Sequence, residues 1–390
     1  LTTKTYTKAV YGTEEITPIR ELFDGMKVLE LSNGPTLAFK DMAMQLLGNL
    51  FEYQLARTNR ELNILGATSG DTGSAAIDGV KSCRNVSMVI LYPQGRISEV
   101  QRRQMTTVNA ANVHAVAVDG TFDDCQDLVK AMFNDAPFRA THHLSAVNSI
   151  NWARVMAQVV YYYTAIEQLH AVDSGPVSFS VPTGNFGDIF AGYIARQMGL
   201  PIEKLVIATN QNDILDRALK SGAYTTDGVK PSISPSMDIQ VSSNFERALF
   251  DAYGRDGAAV AQLMAELKAG GFAISQGALQ MLRGTFASGR CSEDETIATI
   301  RTAFATTGEV LCPHSAVGVK VAEENLGTTP MITLATAHPA KFPDAVEQAM
   351  GARPALPLRM ADLFDRPERV TRVANDLAAL QSIVRERTGR

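Results

Sequence analysis

At 390 residues, with apolar side chains at 45% and charged ones at 20%, the chain is too long for one simple core and has the composition of a globular protein of two domains. A formal charge of -5 and a pI near 5.8, with no Lys/Arg cluster, exclude the basic field that a nucleic-acid partner would need. No apolar run approaches the roughly 18 residues of a bilayer span, which excludes a membrane partner of that kind.

Taken in chain order, the first chemical motif is Gly34-Pro-Thr-Leu-Ala-Phe-Lys-Asp41, followed by Met44, Leu47, Phe51 and Leu55 at helical spacing. Lys40 therefore sits at a loop-to-helix junction, with Asp41 expected as the N-cap. A lysine held against apolar side chains such as Phe39 loses its proton more readily, as an imine-forming amine must. Alone, a lysine at a helix start reads more simply as a solvated one.

A strand is predicted over Leu62–Leu65, and Ala67-Thr-Ser-Gly-Asp-Thr-Gly-Ser-Ala-Ala76 follows it. Glycines and hydroxyl residues opening a helix after a strand expose backbone N–H groups to a carboxylate or phosphate, although a plain capped turn has the same look. Further strands are predicted at Val86–Leu91 and Val113–Val118. Asn148-Ser-Ile-Asn-Trp-Ala-Arg154 then leads into a helix over Val155–Leu169, where Arg154 can grip a phosphate through its planar fork or stand exposed.

The break at Asp173–Pro176 sets a domain boundary, giving 1–172 and 173–390. Beyond it a strand at Val177–Val181 runs into Val181-Pro-Thr-Gly-Asn-Phe-Gly-Asp-Ile189. Gly184 and Gly187 allow close approach of backbone to an anion, and the helix start adds favourable partial charge. The pattern is neither a Walker loop nor Gly-x-Gly-x-x-Gly.

Leu205–Ala208 and Met331–Leu334 read as strands, with a long loop from Tyr224 to Asp238 between them. Leu334-Ala-Thr-Ala-His-Pro-Ala-Lys341 offers the Thr336 hydroxyl at a strand end, and Arg366–Arg390 reads as a charged surface helix. Strands alternating with helices predict a mainly parallel α/β sheet.

The four cysteines, Cys83, Cys125, Cys291 and Cys312, form no Cys-x-x-Cys pair, and the six histidines form no close i, i+4 pair. Neither a disulfide framework nor a metal site is expected, and a cytoplasmic location fits. No charged-then-apolar leader follows Leu1. The absence of an initial Met suggests a processed or shortened product.

Together these segments resemble the threonine synthase family in its bacterial and fungal branch. The similarity covers Gly34–Asp41, Ala67–Ala76, Asn148–Arg154, Val181–Tyr193, Pro235–Arg247, Pro313–Gly318 and Thr336–Phe342, in order along most of the chain. It implies a two-domain pyridoxal-phosphate fold of the tryptophan synthase β-subunit type, mainly parallel sheets with helices on both faces. The implied activity is that of a carbon-oxygen lyase of threonine biosynthesis, converting O-phospho-L-homoserine and water to L-threonine and phosphate. A phospho-lyase releasing 2-oxobutyrate shares nearly every motif, and a cofactor-free binding protein is the alternative from another class.

The resemblance also assigns roles. Lys40 would be the Schiff-base lysine and proton shuttle, with the pyridoxal 5'-phosphate group held by Gly184, Asn185, Phe186, Gly187 and Asp188. Thr336 would face the pyridine nitrogen. Ser69, Gly70, Asp71 and Thr72 would receive the substrate carboxylate, and Ser149, Asn151 and Arg154 the substrate phosphate. Two departures stand out: Ser32-Asn33 occupies the place of an aromatic residue and a histidine, and the family carries several tens of residues upstream. The oligomeric state is left open between monomer and dimer.

Overall fold

The computed structural model describes residues 1–388 apart from 24 and 171–174. The chain divides into two compact units, one made of Leu1–Ile16, Asn33–Asn151 and Ala355–Arg390, the other of Thr17–Ser32 and Trp152–Pro354. The boundary expected between residues 172 and 173 lies outside the described residues, and the division found is different. Helix Trp152–Gln168 belongs with the second unit because its buried face packs on helix Gly187–Gln197. The hairpin Ile19–Phe23/Met26–Glu30 joins the same unit by pairing with Met331–Ala335.

In the first unit a five-stranded sheet runs Val370–Ala374, Val113–Asp119, Val86–Pro93, Leu62–Ala67, Leu144–Ser145, with every neighbouring pair parallel. The expected apolar runs form its three central strands. Their near-continuous burial is what a parallel sheet covered on both faces requires. Leu65, Val89, Leu91, Val116 and Val118 pack with Cys125, Leu128 and Met132. The tail departs from the single surface helix expected over Arg366–Arg390. Val370–Ala374 adds an edge strand to the sheet, and helix Leu377–Thr388 buries Leu380 and Val384 in that core.

The second unit holds a six-stranded sheet in the order Ile19–Phe23, Met26–Glu30, Met331–Ala335, Val177–Pro182, Ile202–Thr209, Phe286–Arg290. All pairs but the first are parallel. The C-terminal ends of its parallel strands therefore lie on one side, which is where ligands bind in open α/β sheets. The loop expected over Tyr224–Asp238 is largely irregular, with a short strand at Ala223–Thr225 and a 3-10 turn at Pro235–Met237. It is nevertheless anchored. The Asp238 carboxylate accepts from Ser232 N and Asn210 Nδ2, both at 2.8 Å, and from Asn212 Nδ2 at 3.0 Å. No helix among the described residues is long and apolar enough to cross a membrane.

Candidate active site

Lys40 opens helix Lys40–Thr58, which begins earlier than an N-cap at Asp41 would have it. Phe39, not Asp41, is the N-cap, and Phe39 has no capping side chain. Asp41 instead folds back on the loop that precedes it: its carboxylate accepts from Thr36 N at 2.8 Å and from Thr36 Oγ1 at 2.6 Å. Gly34 is required by that closure, since a Cβ there would lie 2.4 Å from Asp41. The loop thus presents Lys40 rigidly.

The Lys40 side chain is buried, with Nζ 3.2 Å from Asp71 Oδ2 and 4.7 Å from the centroid of the Phe39 ring. Asp71 is the first residue of helix Asp71–Val80, where a carboxylate is favoured by the helix dipole. Its Oδ1 accepts from Gln101 Nε2 at 2.9 Å. Gln101 closes a capping box with Ser98 at the start of helix Glu99–Thr106, a signature legible in Ser98-x-x-Gln101. Its reach to Asp71 has no local signal.

The four residues assigned to the substrate carboxylate are not equivalent. Thr68 Oγ1 accepts from Gly70 N at 3.0 Å and Gly73 N at 2.8 Å, so the Gly70 amide is engaged within its own turn. Gly70 has φ 127, and a Cβ on it would lie 2.4 Å from Gln101 Cδ. Its glycine is needed for the turn itself. The Asp71 carboxylate is directed to Lys40, where its charge would repel a substrate carboxylate. Ser69 and Thr72 stay partly exposed with hydroxyls to offer, and Ser149 and Asn151 occupy a partly exposed turn of the same unit.

In the second unit, strand Val177–Pro182 leads through Gly184, Asn185 and Phe186 into helix Gly187–Gln197. Phe186 takes the left-handed conformation at φ 60, held because its buried ring packs on Phe245 and Phe286 at 5.2 and 5.4 Å. The loop carbonyls turn outward. Gly184 O accepts from Ser242 Oγ at 2.7 Å, and Asn185 O accepts from both N and Nδ2 of Asn244 at 3.0 Å. A Cβ on Gly184 would lie 2.7 Å from Ser236 O. With carbonyls committed elsewhere and a helix N-terminus following, the loop fits a phosphate through backbone N–H groups.

The Asp188 side chain is engaged within its own unit. Its carboxylate is buried and accepts from Tyr161 OH and, at 3.2 Å, from Tyr162 OH, which ties the helix to Trp152–Gln168. Burial, reinforced by Asp188, holds both tyrosine hydroxyls far above their ordinary pKa, so they act as donors. Only the backbone of Asp188 is suited to a phosphate. Thr336, buried beyond strand Met331–Ala335, is fixed by its N–H donating to Ser315 Oγ at 3.2 Å. No local signal in the sequence points to His314, whose Nε2 accepts from Ser236 N at 3.1 Å and so braces the wall behind Gly184.

Arg154 lies in this second unit, not with the Ser149–Asn151 turn that precedes it in sequence. It is 5% exposed, and its Nε and Nη1 have no hydrogen-bond partner among the described residues. Burial pulls its pKa down to about 10, with Tyr161 pushing the other way. A guanidinium so placed needs an anion, because unpaired buried charge is costly.

The family model "Pyridoxal-phosphate dependent enzyme" matches residues 27–265, and "Threonine synthase, C-terminal" matches residues 315–384. A threonine synthase of Pseudomonas aeruginosa is 52% identical over 388 residues, covering 98% of this chain and 82% of the relative. That of Saccharomyces cerevisiae is 48% identical over 375 residues, covering 88% and 73%. The crystal structure of PLP-bound threonine synthase from Brucella melitensis superposes with a TM-score of 0.95 at 55% identity, covering 98% of this chain and 83% of that one. The cradle and the buried lysine fit that cofactor, and the chain belongs to the pyridoxal-phosphate-dependent threonine synthase family.

Proposed function

We propose that this carbon-oxygen lyase works in the cytoplasm on O-phospho-L-homoserine and water, yielding L-threonine and phosphate, with Lys40 as its Schiff-base lysine. Bound pyridoxal phosphate supplies an electron-withdrawing ring that makes protons next to an amino group removable. The work left to the chain is to hold groups and to move protons.

The Lys40 amine takes protons from the substrate's Cα and then Cβ. Asp71 keeps that amine oriented and accepts its hydrogen bond, while Gln101 keeps Asp71 in place. The backbone from Gly184 to Asp188 would hold the cofactor phosphate, and the neutral hydroxyl of Thr336 would face the pyridine nitrogen. Ser69 and Thr72, at the start of helix Asp71–Val80, would receive the substrate carboxylate, with Gly70 serving as the turn that aims them. Ser149, Asn151 and Arg154 would receive the phosphate that leaves.

One observation carries the choice of a phosphorylated substrate: the buried Arg154 guanidinium, two of whose nitrogens have no hydrogen-bond partner among the described residues. Its fork matches a phosphate in two places, and its grip strengthens as charge builds on the leaving group. Incubation with O-phospho-L-homoserine tests the reading. Threonine and inorganic phosphate in equal amounts are expected. Release of 2-oxobutyrate in place of threonine would remove the hydration step, and a colourless protein without turnover would remove the whole reading.

A further inference from the structure

The 3-10 turn Leu358–Met360 lies more than 300 residues beyond Lys40 in sequence, yet within the first unit it grips the loop on which Lys40 stands. Arg359 Nη2 donates to Gly34 O at 2.6 Å, and Arg359 Nη1 donates to Tyr11 O at 2.8 Å. Gly12, at φ 78, makes room for it; a Cβ there would lie 2.6 Å from Nη1. On one side of Arg359, Met360 packs with Leu37, Val100 and Leu363 in a small buried cluster. On the other, Leu358 is 96% exposed, so the turn is aimed by Arg359 and Met360.

The gripped loop is under strain. Leu37 has φ 63, a left-handed conformation that is unfavourable for a residue with a Cβ and persists only where surroundings enforce it. Three contacts enforce it. Asp41 holds Thr36 from within the loop. Gln104 Nε2 donates to Thr36 O at 3.0 Å and touches Met360 Sδ at 3.8 Å. Arg359 is the charged donor of the set, and a charged donor makes the stronger bond to a carbonyl.

We propose that Arg359 is a positioning residue for Lys40: by fixing Gly34 O it holds the strained loop in the one shape that delivers Nζ to its working place. This rests on the reading of Lys40 as the cofactor lysine. A shift of about 1 Å in a reacting group is enough to cost on the order of a hundredfold in rate, so a carbonyl clamp at the loop's entry can control turnover without touching substrate.

The test uses the holoenzyme of wild type, Arg359→Ala and Arg359→Lys. A cavity of about 610 Å³, lined in part by Pro35, Thr36, Gln104 and Arg359, gives free guanidinium ion access to the vacated place. In Arg359→Ala, kcat is expected to fall about tenfold or more with KM within about twofold, and borohydride fixation of the cofactor on Lys40 should slow in step. Millimolar guanidinium should restore much of both without moving the thermal midpoint. Arg359→Lys, which keeps charge but loses the fork, should lie between, and it carries the test if the alanine variant does not fold. Wild-type kcat and fixation rate in both variants would overturn the proposal, as would a loss that follows the thermal midpoint and ignores guanidinium. Fixation on another lysine in wild type would instead overturn the reading of Lys40, and this proposal with it.

Discussion

Lys40 Nζ and Asp71 Oδ2 lie 3.2 Å apart in a setting where both side chains are at most 10% exposed. A buried pair of this kind adds little net stability, yet removing either partner leaves a charge without its counter-ion. Its value is orientation: it gives the amine one direction to point.

Replacing Lys40 by Ala should abolish turnover and borohydride labelling of that peptide. Gln101→Leu should leave the cofactor bound and lower kcat about tenfold, because Asp71 loses the donor that fixes its second oxygen. Peptide mapping after reduction and steady-state kinetics check both. Full activity in Lys40→Ala would end the assignment.

Gly184→Val should weaken cofactor retention about tenfold or more, since the added carbons meet the backbone oxygen of Ser236, which has no freedom to swing aside. Gly187→Val should act in the same direction by crowding the helix start. Equilibrium dialysis against pyridoxal phosphate measures this, with circular dichroism as the check on folding. Wild-type affinity in both variants would move the cradle elsewhere.

For Arg154 the structure allows a two-sided prediction. Arg154→Ala should keep the yellow cofactor and lose on the order of 2–4 kcal/mol in kcat/KM for phosphohomoserine, with Arg154→Lys recovering part. Arg154→Met should raise the thermal midpoint of the protein without substrate, because it removes a buried guanidinium two of whose nitrogens have no hydrogen-bond partner among the described residues. Loss of colour in these variants would reassign the arginine to the cofactor.

His114, on strand Val113–Asp119, is held down to about 4 from 6.5 by burial and then by Arg387 and Arg369. The unfolded chain takes up this proton first as pH falls, so stability should drop from about pH 6.5 towards 4 and level off below. Because the ring is only partly buried, a discounted contribution of about 1 kcal/mol is expected. Denaturant titrations of wild type and His114→Gln across that range check it: a slope equal in both would acquit this residue.

The sequence determined by itself the parts of the protein whose cause is local. Apolar runs at Val86–Leu91 and Val113–Val118 are strands because continuous β-branched segments of that length bury well between layers of helix. Gly184 and Gly187 read as an anion loop because the backbone needs of such a loop are written in nearby positions. These signals come from residues within a few positions of one another, whose covalent spacing already fixes their geometry.

The tertiary structure alone decided which groups serve those local features. Gln101 meets Asp71 across 30 positions, and Arg359 meets Gly34 across 325. Asp41 reads as a cap until its carboxylate is seen closing on Thr36, and Asp188 reads as a ligand until Tyr161 and Tyr162 claim its side chain. Arg154 follows Asn151 by three positions yet belongs to the other unit. Side-chain donors and acceptors carry no address in sequence. Which of them pair is settled by burial, because a polar group shut away from water must find a partner among whatever the packed chain has brought near.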